Sequence, residues 1–400
     1  MVIRTIPAEQ VTAGMYIVRL HGPWLQHPFW KTCFVVECED VARLHASTVE
    51  HVDIDTQLGA DAEFLTCIES CEDKPTQVAC TSATLPLEQT PCSFAEEIVR
   101  AKLICEDGRA LVEAMFGEVR MGRTMHLDSA RLMATRIGES VARNPSALVS
   151  LARLKTADTY TYLHSVAVGG LMTAIARDLG LPHDQQERAA LAGLLHDFGK
   201  ALTPSDILNK KGALLDAEFD VVRQHPVLGE RLLNAAGFQD ADVLHVVRHH
   251  HERMDGKGYP DQLPAERLPL LTRISAVCDV YDAITSYRPY KAGWDPAESL
   301  RHMAKGEGHF DVEILKSLVR VLGIFPVGSL VRLESGFLAV VIERGVHPLQ
   351  PPLVRVFYST TLKIQVFPRD VDLSNCSDRI ISIESPEAWG LKDLERFWCP

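Results

Sequence analysis

The eight residues GLLHDFGK, 193–200, end an apolar helical run in an adjacent histidine and aspartate, His196 and Asp197. Burying such a pair without partners is costly or forces the groups to neutralise. Any fold of this chain must therefore bring other polar groups to that helix end, where Gly199 reads as the stop. Four further places carry histidine or aspartate against apolar neighbours. His164, in TYTYLHSVAVGGLMTAIARDLG, shares one helical face with Val168, Leu171, Ile175 and Leu179, so it points inward with the core stripe. His225 stands before a proline in RQHPVLGERLL, and RHHHERMDGKGYP carries His249, His250 and His251 ahead of a Gly-rich turn. Asp279 interrupts the apolar helix RISAVCDVYDAI.

Each of these alone has a dull explanation, because a lone inward histidine is usually a hydrogen-bonded core residue and a histidine run can be a solvated surface. Together they point elsewhere. Imidazoles and carboxylates arriving from separate helices are how bundle cores assemble metal sites. The absence of cysteine among them favours Fe or Mn over a thiolate-bound structural zinc.

The rest of the chain sets the frame. Residues 1–70 mix short apolar runs such as GMYIVRL and CFVVEC with Gly, Pro and aromatic punctuation, a small β-rich unit. Residues 71–93, rich in Pro, Thr and charge, read as a linker. Helical periodicity occupies 94–325, with leading helices over 94–150, and β-branched texture around Gly and Pro returns over 326–400. The leading stretch has charge on alternating faces, open to a signalling or dimer helix, with a packed bundle helix as the default. The expected fold class is mainly α, a helical bundle with small β-rich units at both ends. A formal net charge of -12 argues against binding DNA or RNA polymers, so phosphate must be held locally. No apolar run approaches membrane-spanning length and no signal-peptide pattern opens the chain, which predicts a cytoplasmic protein. The ten cysteines include Cys67 and Cys71 at a spacing that is a weak metal signal, and they read as scattered reduced thiols.

In order along the chain, HDFGK, HHERMDGKGYP and DVYDAITSYRPYK resemble the HD-GYP subgroup of the HD phosphohydrolase superfamily, over roughly residues 155–325. The N-terminal IPAEQVTAGMYIVRLHGPWLQHPFW is similar to a small domain of unassigned function found ahead of HD-GYP domains. The resemblance implies an HD-type bundle that hydrolyses the bacterial second messenger cyclic di-GMP to pGpG and on to GMP, through hydroxide activated by two divalent ions. By position, the metal ligands would be His164, His196, Asp197, His225, His250, His251 and Asp279, with Asp197 bridging. His245 and His249 fall outside that set. Members with a third metal have Glu where this chain has Tyr160, so two metals are expected. Phe198 and Met254 are apolar swaps within the motifs.

The same resemblance gives Lys200 a role at the scissile phosphate or the departing 3′ oxygen, and makes Asp197 and Lys200 the catalytic pair. Gly258, Tyr259, Pro260, Asp282, Arg288 and Lys291 would face substrate, although Asp282 equally suits orienting a ligand. The GYP loop is also a partner surface in the family. Neither the base preference, cyclic di-GMP against 3′,3′-cyclic GMP-AMP, nor a non-catalytic sensor role is decided by residues that grip metal and phosphate. The terminal β-rich units are open to regulation, homodimer formation or partner binding.

Overall fold

The computed structural model describes residues 3–20, 34–36, 40–41, 44, 49, 51–56, 90–123, 127–152, 160–208, 210, 212, 214–286, 294, 296–306, 308–345 and 350–399. The chain divides into two compact units, Met1–Ala83 and Thr84–Pro400. In the first, strands β1 (Ile3–Pro7), β2 (Tyr16–Leu20), β3 (Phe34–Val35) and β4 (His51–Asp55) form an antiparallel sheet in the order β1-β4-β2-β3. Ile6, Met15, Ile17, Val52 and Ile54 make its core. The expected linker lies almost wholly outside the described residues, as do Cys67 and Cys71.

The second unit is built on helices α1 (Phe94–Arg120), α2 (Asp128–Arg143), α3 (Pro145–Ala152), α4 (Tyr160–Asp178), α5 (His183–Leu195), α6 (Ser205–Leu208), α7 (Asp216–Val222), α8 (His225–Ala235), α9 (Ala241–His249), α10 (Leu270–Thr285), α11 (Pro296–Lys305) and α12 (Val312–Leu322). The leading helices belong to this core. α1 starts on a reciprocal cap in which the Ser93 hydroxyl accepts from Glu96 N and Glu96 accepts from Ser93 N. It is tied to α2 by fully buried Glu97, whose carboxylate accepts two bonds from Arg143 at 2.7 and 2.9 Å. Burial pushes Glu97 upward, yet Arg143, Ser140 and Arg100 together outweigh it and hold the carboxyl below its usual range.

The C-terminal strands β5 (Leu330–Leu333), β6 (Phe337–Glu343), β7 (Leu353–Ser359), β8 (Ile364–Asp372) and β9 (Ile380–Ile383) form an antiparallel sheet in the order β8-β7-β6-β5-β9. Strand alternation splits its faces. Leu330, Leu338, Val340 and Phe357 join the helical core, while Val331, Ala339, Val341 and Val354 build a second cluster on the other face. The fold is thus mostly helical with small antiparallel sheets near both ends, as expected.

Two close backbone approaches position the site. A Cβ on Gly193 of α5 would lie 2.6 Å from Gly169 Cα of α4, so these helices meet with no side chain between them. His164 lies five residues before the one contact and His196 three after the other, which brings their rings to 5.0 Å. Gly199 corrects the sequence reading. It is not a left-handed helix stop: α5 ends at Leu195 and a 3-10 turn, Phe198–Leu202, runs through it. Its lack of a side chain admits the start of α8, since a Cβ there would fall 1.9 Å from His225 O.

Candidate metal centre

His164 from α4, His196 and Asp197 from the end of α5, His225 at the start of α8, His250 and His251 after α9, and Asp279 from α10 converge in the helical core. Their donor atoms form two groups, His164, His196 and Asp279, and Asp197, His225, His250 and His251, each with all atoms within 4.8 Å of one another. Pro226 in the first turn of α8 preorganises the helix start that presents His225.

Two carboxylates connect the groups. Asp197 Oδ1 lies 3.2 Å from His225 Nε2 and 3.8 Å from His250 Nε2, while its Oδ2 lies 3.5 Å from Nε2 of both His164 and His196. Asp279 faces His164 with Oδ1, at 3.0 Å, and His251 with Oδ2, at 3.5 Å. One oxygen of each carboxylate therefore serves each group.

The ring orientations are held from behind. His196, His225 and His250 each direct Nδ1 at a backbone carbonyl, Gly193 O at 2.8 Å, Val222 O at 2.7 Å and Val247 O at 3.0 Å. With the proton donated there, Nε2 carries the lone pair inward. His164 instead donates from Nδ1 to Asp282 Oδ2 at 2.6 Å. Asp282 is buried behind that ring and is not among the cavity-lining residues. Asp279 and Asp282 share a helix face three residues apart, so one turn of α10 presents both to His164.

This donor set fits metal. His225 and His250 bring their Nε2 atoms to 3.1 Å with both Nδ1 protons engaged elsewhere, so two lone pairs face each other across a gap that suits a shared cation. His196 Nε2 and Asp197 Oδ1 are buried and make no hydrogen bond. Burial holds His196 below the usual imidazole range, His250 well below it, and His251 down to about 3, which keeps these rings neutral as ligands must be. Burial pushes Asp197 upward, but opposing neighbours, the Lys200 ammonium first among them, hold the carboxyl well below its usual range. Burial would likewise lower His164, and Asp279 and Asp282 more than reverse that. Cys278, beside Asp279, is buried with its thiol pushed well up, so it stays protonated and is a poor ligand.

Lys200 places Nζ 2.5 Å from Asp197 Oδ2. His249 bonds Asp261 at 2.9 Å and His245 bonds Thr272 at 2.9 Å, both apart from the two groups. A cavity of about 340 Å³ opens beside His250 and His251, lined also by Phe219, Arg223, Lys257, Gly258 and Tyr259. Tyr259 stacks on His251 with centroids 4.7 Å apart, and the Tyr259–Pro260 bond is cis. In this loop Gly256 takes φ +70°, while Gly258 admits Glu252, whose Cα would lie 2.4 Å from an added Cβ. Arg288, Lys291 and the side chain of Tyr160 lie outside the described residues.

Sequence reasoning passed over Glu252. Its buried carboxylate accepts from Asp261 N at 2.7 Å and Leu263 N at 3.2 Å and so fixes the exit of the GYP loop. The available signal was an acidic residue between a histidine pair and a Gly-rich turn. A second cavity, about 180 Å³ and lined by Phe325, Arg344, Leu373 and Ile380, contains none of the clustered histidines or aspartates.

Comparison with known proteins bears on the same residues. A family profile described as an HD domain matches residues 138–314, and one described as a domain of unknown function, DUF3391, matches 3–130. The second match reaches past the N-terminal sheet into α2. The chain is 45% identical to the cyclic di-GMP phosphodiesterase PA4108 of Pseudomonas aeruginosa, over 99% of this chain and 95% of that protein. It is 37% identical to the cyclic di-GMP phosphodiesterase response regulator RpfG of Xanthomonas campestris over 48% of this chain and 51% of that one. It is 34% identical to the 3′3′-cGAMP-specific phosphodiesterase 1 of Vibrio cholerae over 40% and 38%. Among solved structures, Bd1817, an HDG"Y"P protein from Bdellovibrio bacteriovorus, aligns over 79% of this chain and 98% of that one with TM-score 0.46 and 16% identity.

Proposed function

This chain belongs to the HD-GYP cyclic di-GMP phosphodiesterase family, and from that premise we propose that it hydrolyses cyclic di-GMP to pGpG and on to GMP at a two-metal centre. The observation that carries the reading is Asp197, a buried carboxylate with one oxygen toward each histidine group. His164, His196 and Asp279 would hold one ion and His225, His250 and His251 the other, with Asp197 common to both. All-nitrogen and oxygen donors suit Fe or Mn. Bound there, two divalent ions supply a nucleophile at neutral pH and offset the charge of the phosphodiester.

The chain's own groups do the rest. Asp282 fixes the His164 ring by taking its Nδ1 proton in a hydrogen bond, and the three carbonyls do the same for His196, His225 and His250. Lys200 keeps its ammonium at Asp197 Oδ2, where it can meet a phosphoryl oxygen or give a proton to the departing 3′ oxygen. The Gly258-Tyr259-Pro260 loop borders the cavity that receives the rest of the substrate, with Arg288 and Lys291 as further phosphate contacts and the same loop as the surface for a protein partner. No helix among the described residues is long and apolar enough to cross a membrane.

Anaerobic purification with elemental analysis, followed by incubation of Fe- and Mn-loaded protein with cyclic di-GMP and with 3′,3′-cyclic GMP-AMP, tests the reading. Chromatography should show pGpG and GMP from cyclic di-GMP, and no product from Asp197→Ala. Two bound metals per chain with neither dinucleotide cleaved would sink it in favour of a nucleotide sensor.

A further inference from the structure

Arg223 is a cation at this site for which the metal-centre reading has no task. It follows α7, two residues before His225, and lines the cavity beside His250, His251 and Tyr259. Its guanidinium lies over the Tyr259 ring, 4.7 Å from the centroid, and over Phe219 at 5.6 Å. Tyr259 in turn stacks on His251, so the Tyr259 ring contacts both the Arg223 guanidinium and an imidazole of the second histidine group.

The neighbouring arginines are occupied. Arg253 is closed by two bonds to Asp255, at 3.0 and 2.7 Å, and Arg248 by Asp261 and Glu230. Among the described residues no ion pair or hydrogen bond engages the Arg223 guanidinium. Its guanidinium thus lies over aromatic surface with its donors available.

What those donors meet follows from the chemistry of the place. A scissile phosphate has to lie at the carboxylates and imidazoles, so the adjoining cavity receives the nucleoside attached to it. Phe219, Tyr259, Ala276 and Val280 give that cavity an aromatic and apolar wall that suits the face of a base, while Lys257, Arg253, Glu252 and His309 make its polar side. At about 340 Å³ it is at the small end of the roughly 300–1,000 Å³ usual for ligand sites, a fit for one nucleoside. An arginine fork pairs with two acceptors side by side, and guanine presents such a pair in O6 and N7. Adenine presents an acceptor and a donor at the same edge.

We infer that Arg223 reads the O6/N7 edge of a guanine seated in this cavity, making it the residue that selects guanine over adenine nucleotides. The inference rests on the phosphodiesterase reading for the location of the phosphate, and its test is a binding ratio that needs no turnover. The metal-loaded full chain is titrated calorimetrically with 5′-GMP and 5′-AMP, as wild type, Arg223→Lys and Arg223→Gln. The wild type should hold GMP over AMP by about 5- to 150-fold, the range for one bidentate base contact. Both variants should bring that ratio near one, with metal content and thermal midpoint unchanged. Lysine keeps the charge but lacks the fork, and glutamine offers the donor and acceptor that adenine prefers.

Equal losses for GMP and AMP at a constant ratio would make Arg223 a phosphate or structural contact and overturn the inference. So would a wild type without preference, or a preference that survives in Arg223→Lys. Hydrolysis is assayed alongside: a guanine preference that vanishes on substitution, in protein that cleaves no cyclic dinucleotide, would uphold Arg223 and remove the phosphodiesterase reading.

Discussion

His164 lies on α4 and His196 directly after α5, two helices whose backbones touch at Gly169 and Gly193, and both rings are buried. His250 and His251 likewise follow the end of a helix, α9, but lead into the GYP loop and border a cavity. The ring supports single out one residue: His164 is oriented by a carboxylate, Asp282, whereas His196 in the same group, like His225 and His250 in the other, is oriented by a neutral carbonyl. The first group is set by the contact of two helices, and the second opens onto a loop and a cavity. A chain that must hold metal firmly and still admit a bulky anion gains from dividing the tasks in this way.

The change with the largest expected effect removes the residue common to both groups. Asp197→Ala takes one oxygen from each group and leaves Lys200 without its partner. Its loss in metal affinity and turnover should exceed the roughly 100-fold ceiling usual for outer contacts, and elemental analysis should find both sites depleted. Retention of one full equivalent would show that the groups bind independently and that Asp197 is not shared.

Asp282→Asn sharpens the contrast, because it alters only the first group. The amide cannot take the Nδ1 proton with a full charge, so metal affinity should fall by about 10- to 100-fold at that site, read as one equivalent lost on graded chelation. This residue also marks a limit of legibility. An aspartate one turn past Asp279 reads equally well as solvent-exposed, substrate-facing or orienting, and only the packing of α10 on α4 decides which side of His164 it occupies. The inward direction of His164 was legible, because Val168, Leu171 and Ile175 share its face and are buried with it. Gly199 was not, since its reason lies in a contact with His225 O that no local pattern encodes. Glu252 and Arg223 were missed on the same ground: their roles depend on backbone amides and ring faces brought from elsewhere in the chain.

Gly193→Ala tests whether packing builds the first group. The new methyl would sit 2.6 Å from Gly169 Cα, and backbone cannot swing away as a side chain can. Separation of α4 from α5 should cost about 1–3 kcal/mol of stability, measured by denaturant unfolding. It should also weaken metal at His164 and His196 before His225 and His250. Even loss from both groups would mean that the helix contact supports the whole bundle rather than one half of the centre.

The smallest effect is expected where the second group meets the cavity. Tyr259→Leu keeps apolar bulk but removes the ring that stacks on His251 and carries Arg223. An aromatic pair contributes about 0.5–1.5 kcal/mol beyond area burial, so substrate affinity should fall by only about 2- to 13-fold. Metal content should not change, because His251 also faces Asp279 and the other donors are held by backbone. KM should therefore rise while kcat stays near the wild-type value. A fall in kcat with loss of one metal would show that the stack orients His251 as a ligand, and the loop would then belong to the metal centre rather than to the substrate.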